Sequence, residues 1–200
     1  MNFEIVLATN NKNKLKEVRS ILSPHGVVVY GINDLNLKVD DVEENGSTYA
    51  ENAMIKAKSL QKVTDLPIIA DDSGIEIEAL DNGPGIFSAR YVNNFGNYQT
   101  TMEHIISKVK EKNNNRAKFY CDIVLLNYDI KPHIFEGIVD GHISDKILGT
   151  TGFGYDPIFI CDATGKTYAE MGEKEKNKYS HRALALKKLI TYLRINQSIK

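Results

Sequence analysis

The chain has 200 residues, with 25 Lys and Arg against 26 Asp and Glu, so its formal net charge at pH 7 is −1. This balance excludes a strong overall attraction to nucleic acid or to an anionic membrane, and any anion site must be local. Hydrophobic residues make up 42% of the chain and charged residues 26%, which is typical of a soluble globular protein with one domain or two lobes.

The first part of the sequence predicts a strand followed by two helices. Phe3–Ala8 is an apolar, β-prone run, and Lys14–Leu22 carries apolar residues at helical spacing. After a polar loop, Thr48 and Glu51 have the spacing of a capping box that begins a second helix. We expect the face of this helix that carries Tyr49 and the alanines to be buried.

The remaining sequence predicts further strands and helices in mixed order. In chain order these are strands at Pro67–Ala70 and Ile75–Leu80, a turn at Asn82–Gly85, a helix at Met102–Val109, strands at Lys118–Tyr128 and His133–Ile143 joined by a hairpin turn at Asp129–Pro132, a glycine-rich loop at Gly149–Asp156, a strand at Pro157–Cys161 and a closing helix at Leu186–Leu193. A long antiparallel ribbon in this order argues against a purely parallel sheet and favours a mixed α/β fold.

No stretch of the sequence predicts export or membrane insertion. The N-terminal residues lack the basic and long apolar regions of a signal peptide, and no apolar run approaches the roughly 20 residues of a membrane span. Cys121 and Cys161 both lie in apolar runs, which favours two reduced core thiols over a disulfide. We therefore expect a cytoplasmic protein that does not act at a membrane.

The first polar cluster lies between the first strand and the first helix, and consists of Thr9, Asn10, Asn11, Lys12, Asn13 and Lys14. Such a junction presents backbone N–H groups and the positive end of a helix dipole. With two lysines it predicts a phosphate cradle, although a solvated polar turn is the alternative. It is not a Walker A loop, because it contains no glycine.

Two acidic clusters follow, one in the polar loop at Asp40–Glu44 and one formed by Asp71 and Asp72. Carboxylate oxygens are the ligands that Mg²⁺ takes, usually one or two of them together with substrate phosphates. Neighbouring side chains in a strand point to opposite faces, so Asp71 and Asp72 are expected to have different roles. The alternatives are a solvated acidic loop and a structural cap for the turn that follows Asp72.

The last two clusters lie near the C-terminal end. Glycines flank aromatic residues in the loop Gly152–Pro157, where a ring can stack on a base or anchor the loop. Lys176, Ser180, His181 and Arg182 precede the closing helix, for which Ser180 is a candidate N-cap. Taken together, cationic side chains, carboxylates and an aromatic loop indicate a nucleoside triphosphate site.

Six motifs in this sequence resemble the inosine triphosphate pyrophosphatase family. They are LATNNKNKLKEV (7–18), ENAMIKA (51–57), ADDSGIEIEAL (70–80), PGIFSARY (84–91), TGFGYDPIF (151–159) and EKNKYSHRALALKKL (175–189), in order along nearly the whole chain. These enzymes hydrolyse noncanonical purine nucleoside triphosphates, mainly ITP, dITP and XTP, to the monophosphate and pyrophosphate, which cleanses the nucleotide pool. The resemblance implies an α/β fold of two lobes around a long curved mixed β-sheet with flanking helices, and an active site in the cleft between the lobes. It also implies Mg²⁺ dependence and a homodimer.

The same resemblance assigns roles to individual residues. It makes Asp72 the general base and, with Glu43, a metal ligand. It assigns substrate binding to Thr9, Asn10, Asn11, Lys12, Asn13, Lys14, Lys56, Ser73, Phe153, Gly154, Tyr155, Asp156, Lys176, His181 and Arg182, of which the last two would recognise the base. The chain departs from the family at Asn10, where many relatives carry glycine.

Two other functions are compatible with parts of this pattern, and a third is disfavoured. A pyrophosphatase for modified pyrimidine nucleotides would use the same phosphate and metal groups. A non-catalytic nucleotide sensor would share the cradle and the aromatic loop but would need no carboxylate that activates water. A nucleic-acid-binding module is disfavoured, because no basic stripe accompanies the net charge of −1.

Overall fold

The computed structural model describes residues 3–40 and 42–199. Its strands and helices are β1 (Phe3–Leu7), α1 (Lys12–Leu22), β2 (Val27–Gly31), α2 (Tyr49–Gln61), β3 (Ile68–Ile77), β4 (Gly83–Pro84), α3 (Ser88–Tyr91), α4 (Tyr98–Lys112), β5 (Arg116–Leu126), β6 (His133–Ile143), β7 (Phe159–Cys161), β8 (Lys166–Thr167), α5 (Tyr168–Tyr179) and α6 (His181–Ile195). None of the helices within these described residues has the length and apolarity that crossing a bilayer requires.

The strands form an eight-stranded mixed sheet with the order β2-β1-β3-β5-β6-β7-β8, and β4 pairs with β3. Strand β1 runs parallel to both of its neighbours, β2 and β3. Strand β4 is antiparallel to β3, and β7 is antiparallel to both β6 and β8. The predicted mixed α/β class is therefore confirmed.

The described residues divide into two compact units. The first unit takes those within Met1–Asp72, Cys121–Gly137 and Arg182–Lys200, and the second takes Ser73–Tyr120 and Ile138–His181. The predicted arrangement of two lobes around a cleft stays a prediction.

The first unit buries both faces of its strands. Ile5 and Leu7 of β1 belong to a core cluster with the apolar faces of α1 and α6, whereas Val6 and Ala8 belong to a second cluster with the alanine face of α2. Alternate residues of a strand point to opposite faces, so helices cover the sheet on both sides. The predicted apolar faces of these three helices are confirmed.

The second unit has an aromatic core. Phe119 of β5 packs edge-on against Phe159 of β7, with their ring centroids 4.7 Å apart, and lies 5.6 Å from the ring of Tyr168. Helix α4 buries Met102 and the apolar residues that follow it at helical spacing, as the sequence predicts. Cys121 of the first unit and Cys161 of the second are both buried and free, so the reduced thiols are also confirmed.

One sequence-based assignment needs correction, and two further elements were missed. The acidic pair does not separate two strands, because Ile68–Ile77 is one continuous strand that contains it. The short strand Val27–Gly31 and the helix Tyr168–Tyr179 had no predicted counterpart. Lys176 therefore lies within α5, and Ser180 is the residue between α5 and α6.

Candidate active site

The loop between β1 and α1 is held by its own side chains. The Asn11 side chain caps α1 and accepts hydrogen bonds from the backbone N–H groups of Asn13 at 2.9 Å and Lys14 at 3.2 Å. The hydroxyl of Thr9 accepts a hydrogen bond from the Asn11 N–H. The predicted strand–loop–helix junction is present, but two of the N–H groups expected to face an anion donate to Asn11 instead.

Asp71 and Asp72 have different partners, as their positions in a strand require. Asp71 pairs with Lys14 at 3.1 Å and accepts hydrogen bonds from the Nε and Nη2 of Arg182 at 3.1 and 2.9 Å. Both Asp71 and Arg182 are only 1% exposed. Burial raises the pKa of Asp71, but the positive charges of Lys14 and Arg182 outweigh it and hold that pKa well below its usual range.

Asp72 pairs with Lys56 of α2, with 3.0 Å between Oδ1 and Nζ. The other oxygen of Asp72, Oδ2, is buried and has no hydrogen-bond partner among the described residues. Burial raises the pKa of Asp72 more than Lys56 and Lys14 lower it, so this pKa lies above its ordinary value. Burial lowers the pKa of Lys56, but the nearby carboxylates raise it by a larger amount. The pKa of Lys56 therefore lies above its ordinary value, and Lys56 stays cationic. A buried carboxylate with one free oxygen can orient and deprotonate a water molecule.

A second carboxylate accompanies Lys56 and Asp72. Glu44 lies 3.5 Å from the Lys56 ammonium, and its charge contributes to the raised pKa of Asp72. Glu43, the predicted metal ligand, is exposed, and its role stays a prediction. Asp41 of the same acidic run lies outside the described residues.

The acidic loop is attached to the start of α2. Thr48 caps this helix as predicted, and the Glu51 carboxylate accepts hydrogen bonds from the N–H and hydroxyl of Ser47. The Asn52 side chain is fully buried and accepts a hydrogen bond from the Gly46 N–H at 2.8 Å. These contacts fix the loop close to the helix that carries Lys56.

In the second unit, the two aromatic residues of the glycine-rich loop differ in burial, and stacking of a base on either ring stays a prediction. Tyr155 is buried and its hydroxyl donates to the Ser88 carbonyl at 2.7 Å, so Tyr155 anchors the loop. Phe153 is half-buried, and its backbone N–H donates to Asp156. Gly152 has φ +80°, and a Cβ at this position would lie 2.1 Å from Asp156 Oδ2. Only glycine fits this turn without strain.

Lys176 lies beside this loop. Its ammonium is 2.7 Å from Asp156 Oδ2, and both side chains are about 5% exposed or less. The same ammonium lies 4.8 Å from the centroid of the Phe153 ring, a cation–π distance. Lys176 thus belongs with the predicted base loop, whereas Lys14 and Lys56 belong with the aspartate pair.

His181 and Arg182 fall into different units. The His181 ring stacks on Phe119 with 4.4 Å between centroids and an interplanar angle of 7°. Arg182 donates to Asp71 and also to Glu17 of α1, a buried residue that sequence reasoning missed. The predicted contacts of His181 and Arg182 with a base stay predictions.

Ser73 is half-exposed in β3, directly after the aspartate pair. The next residue, Gly74, packs against the segment Gly85–Ser88 of the same unit. A Cβ on Gly74 would lie 2.1 Å from the Gly85 carbonyl oxygen and 2.7 Å from the Ser88 hydroxyl. That hydroxyl donates to the Gly85 carbonyl and accepts from the Ile75 N–H, so it fixes this part of β3.

The chain is similar in sequence and in fold to known proteins. The profile of the Ham1 family matches residues 5–192. The chain is 42% identical to a dITP/XTP pyrophosphatase of Halalkalibacterium halodurans over 192 residues, which cover 95% of this chain and 98% of the relative. It is also 42% identical to a dITP/XTP pyrophosphatase of Escherichia coli K12, over 96% of this chain and 98% of the relative. The solved Ham1 protein of Staphylococcus aureus superposes with a TM-score of 0.83 at 38% identity, over 96% of this chain and 99% of that one.

Proposed function

Because this chain belongs to the Ham1 family, we propose that it hydrolyses the noncanonical purine nucleoside triphosphates ITP, dITP and XTP to the monophosphate and pyrophosphate. Such an enzyme is a hydrolase that acts on acid anhydrides and cleanses the nucleotide pool. The observation that carries the proposal is Asp72, a buried carboxylate with one oxygen bound by Lys56 and the other without a hydrogen-bond partner among the described residues.

Asp72 is placed to act as the general base. Its Oδ2 accepts a proton from the attacking water, and its Oδ1 is held by Lys56, which prevents the carboxylate from rotating. The raised pKa of Asp72 brings its basicity closer to neutral pH, where a general base is most effective. The split into monophosphate and pyrophosphate breaks the α–β phosphoanhydride bond, and in this proposal the water attacks the α-phosphorus and pyrophosphate leaves.

The residues around Asp72 also suit a divalent cation. Within residues 3–40 and 42–199, no three His, Cys, Asp or Glu side chains are grouped to hold a metal ion by themselves. Mg²⁺ usually takes one or two carboxylates and completes its shell with water and substrate phosphates, and the carboxylates of Asp72 and Glu44, which both lie against Lys56, fit that demand. We assign Asp72 and the adjacent pair Glu43 and Glu44 to hold it. When bound, Mg²⁺ would neutralise charge on the phosphate oxygens.

In this proposal, two lysines bind the phosphates and the glycine-rich loop binds the base. Lys14 and Lys56 would donate to the phosphates, and each hydrogen bond to a charged group contributes about 1.5–3 kcal/mol. Phe153 supplies a ring face for a base, with Lys176 and Asp156 beside it. ITP and XTP carry a 6-keto acceptor where ATP carries a 6-amino donor, so a cationic donor such as Lys176 at that edge of the base would reject ATP. The predicted homodimer and the cytoplasmic location are part of this proposal.

The test is pyrophosphate release from ITP, dITP, XTP, GTP, ATP and the pyrimidine triphosphates with Mg²⁺. We expect ITP, dITP and XTP to exceed ATP by orders of magnitude, and Asp72→Asn to lose about 10²–10⁴-fold or more in kcat. Preference for pyrimidine triphosphates would support the pyrimidine alternative. Binding of ITP without pyrophosphate release would support a nucleotide sensor.

A further inference from the structure

Four charged residues of the first unit form a buried ion chain, Lys14–Asp71–Arg182–Glu17. Lys14 pairs with Asp71 at 3.1 Å, Asp71 accepts from two nitrogens of Arg182 at 2.9 and 3.1 Å, and Arg182 donates through Nη1 to Glu17. Lys14 and Glu17 lie three residues apart on α1, so the ion chain begins and ends on neighbouring positions of one helix. It contains two positive and two negative charges.

The members of the ion chain differ in their access to solvent. The side chains of Asp71 and Arg182 are 1% exposed and that of Glu17 is 8% exposed, whereas Lys14 is 16% exposed. Lys14 is therefore the member that an incoming phosphate can reach most easily. The other three form its buried support.

One oxygen of Asp71 serves both cations. The Lys14 ammonium and the Nε and Nη2 of Arg182 all contact Asp71 Oδ2. If Lys14 moves from Asp71 to a phosphate, Arg182 still compensates the buried carboxylate. Without Arg182, the same movement would leave the buried Asp71 carboxylate without a directly paired cation, which is strongly unfavourable.

We propose that Arg182, Asp71 and Glu17 are positioning residues that let Lys14 exchange a carboxylate for a phosphate. Glu17 orients the guanidinium, Arg182 retains Asp71, and Lys14 becomes available to the triphosphate. This role rests on the proposed function, in which Lys14 binds phosphates. It differs from base recognition, because it acts on any ligand with a phosphate chain, whether or not the ligand has a base.

Inorganic tripolyphosphate separates the two roles, since it has phosphates but no base. Its binding to the full chain would be measured by titration calorimetry with Mg²⁺, which requires no hydrolysis. Arg182→Lys keeps the positive charge but loses the guanidinium group that contacts Asp71 through two nitrogens. We expect it to weaken tripolyphosphate binding about tenfold, a difference of about 1.4 kcal/mol. Arg19→Lys is the matched control, because Arg19 lies on α1 outside the ion chain and pairs with Asp34. It should bind like the wild type.

A double-mutant cycle tests whether Arg182 acts through Lys14. We expect Lys14→Ala with Arg182→Lys to bind tripolyphosphate no more weakly than Lys14→Ala alone. Independent, additive losses would overturn the inference, as would unchanged tripolyphosphate affinity in Arg182→Lys. Failure of the wild type to bind tripolyphosphate would also overturn it. Absence of pyrophosphate release from ITP, in contrast, would overturn only the proposed function.

A measurement on the wild type alone covers the case in which Arg182→Lys does not fold. In nitrogen-detected NMR, tripolyphosphate should shift the Lys14 ammonium signal, while the Arg182 Nε–H stays protected from exchange by its bond to Asp71. Loss of that protection on binding would show that Arg182 leaves Asp71 together with Lys14, and would refute the exchange.

Discussion

Replacement of Lys176 by methionine tests the buried pair beside the base loop. Lys176 Nζ and Asp156 Oδ2 are 2.7 Å apart, and their side chains are 5% and 4% exposed. Methionine keeps most of the apolar stem but removes the cation, so the Asp156 carboxylate is left buried without its ion-pair partner. Removal of one partner of such a pair costs about 3–5 kcal/mol. We expect a loss of that size in the free energy of unfolding.

The assay is equilibrium unfolding in urea, followed by circular dichroism. The free energies of unfolding are compared between variants whose dependence on urea concentration (the m value) is the same. Lys174→Met is the matched control, because Lys174 is exposed on the same helix, and it should change the free energy of unfolding by about 0.5 kcal/mol or less. Asp156→Asn keeps an acceptor for the Phe153 N–H, and combined with Lys176→Met it removes both charges. The double variant should be clearly more stable than the sum of the two single losses predicts.

Two results would refute this reasoning. A loss below about 1 kcal/mol in Lys176→Met would mean that solvent screens the pair as it screens a surface ion pair. Additive losses in the double variant would mean that the two side chains are not energetically coupled. Either result would also weaken the assignment of Lys176 to the base loop.

Three further predictions concern the loop, the sheet and the reaction. Gly152→Ala should lower both stability and kcat/KM for ITP, because its Cβ would lie 2.1 Å from Asp156 Oδ2. The control Gly165→Ala, at φ +69° with open space around it, should lower the free energy of unfolding by only about 1 kcal/mol. Equal losses of the two variants in urea unfolding would contradict this. Burial and the charge of Glu136 raise the pKa of Asp122 to about 6. The stability that protonated Asp122 contributes is therefore present below the ordinary pKa of 3.8 and is lost as the pH rises through about 6. At pH 7.5 we expect Asp122→Asn to be more stable than the wild type by about 1 kcal/mol, after allowance for partial exposure. Near pH 3.5 the two proteins should be equally stable. Chelation of divalent cations should abolish pyrophosphate release and added Mg²⁺ should restore it, and full turnover in chelator would contradict the metal assignment. As the pH is lowered, kcat/KM should begin to fall at a pH above the ordinary pKa of an aspartate, because the pKa of Asp72 is raised.

The helices that build the first unit could be predicted because their signals are local. The buried faces of α1, α2 and α6 follow from apolar spacing within single segments, and Thr48 caps α2 as its sequence motif predicts. Helix α5 was missed because its apolar residues do not keep a regular spacing and Gly172 interrupts it with φ 69°. A broken helix of this kind has no single period to detect.

The continuity of β3 could not be predicted, because the groups that stabilise its charges are distant in sequence. Two adjacent carboxylates resemble a turn until Lys14, Lys56 and Arg182 are placed beside them. For the same reason, the sequence could not predict which cations pair with Asp71 and which with Asp72. Glu17 could have been suspected, since it is a charged residue beside Val18 in the apolar stripe of α1.

The close approach at Gly74 also constrains how this protein can diverge. Because a methyl group there would overlap the Gly85 carbonyl and the Ser88 hydroxyl, Gly74 cannot accept a side chain while the Gly85–Ser88 segment keeps its conformation. Sequence drift at Gly74 must therefore be accompanied by drift at Gly85–Ser88, and the two segments should covary among functional descendants. A library randomised at Gly74 alone should return almost only glycine, whereas one randomised together with Gly85–Ser88 should recover larger residues.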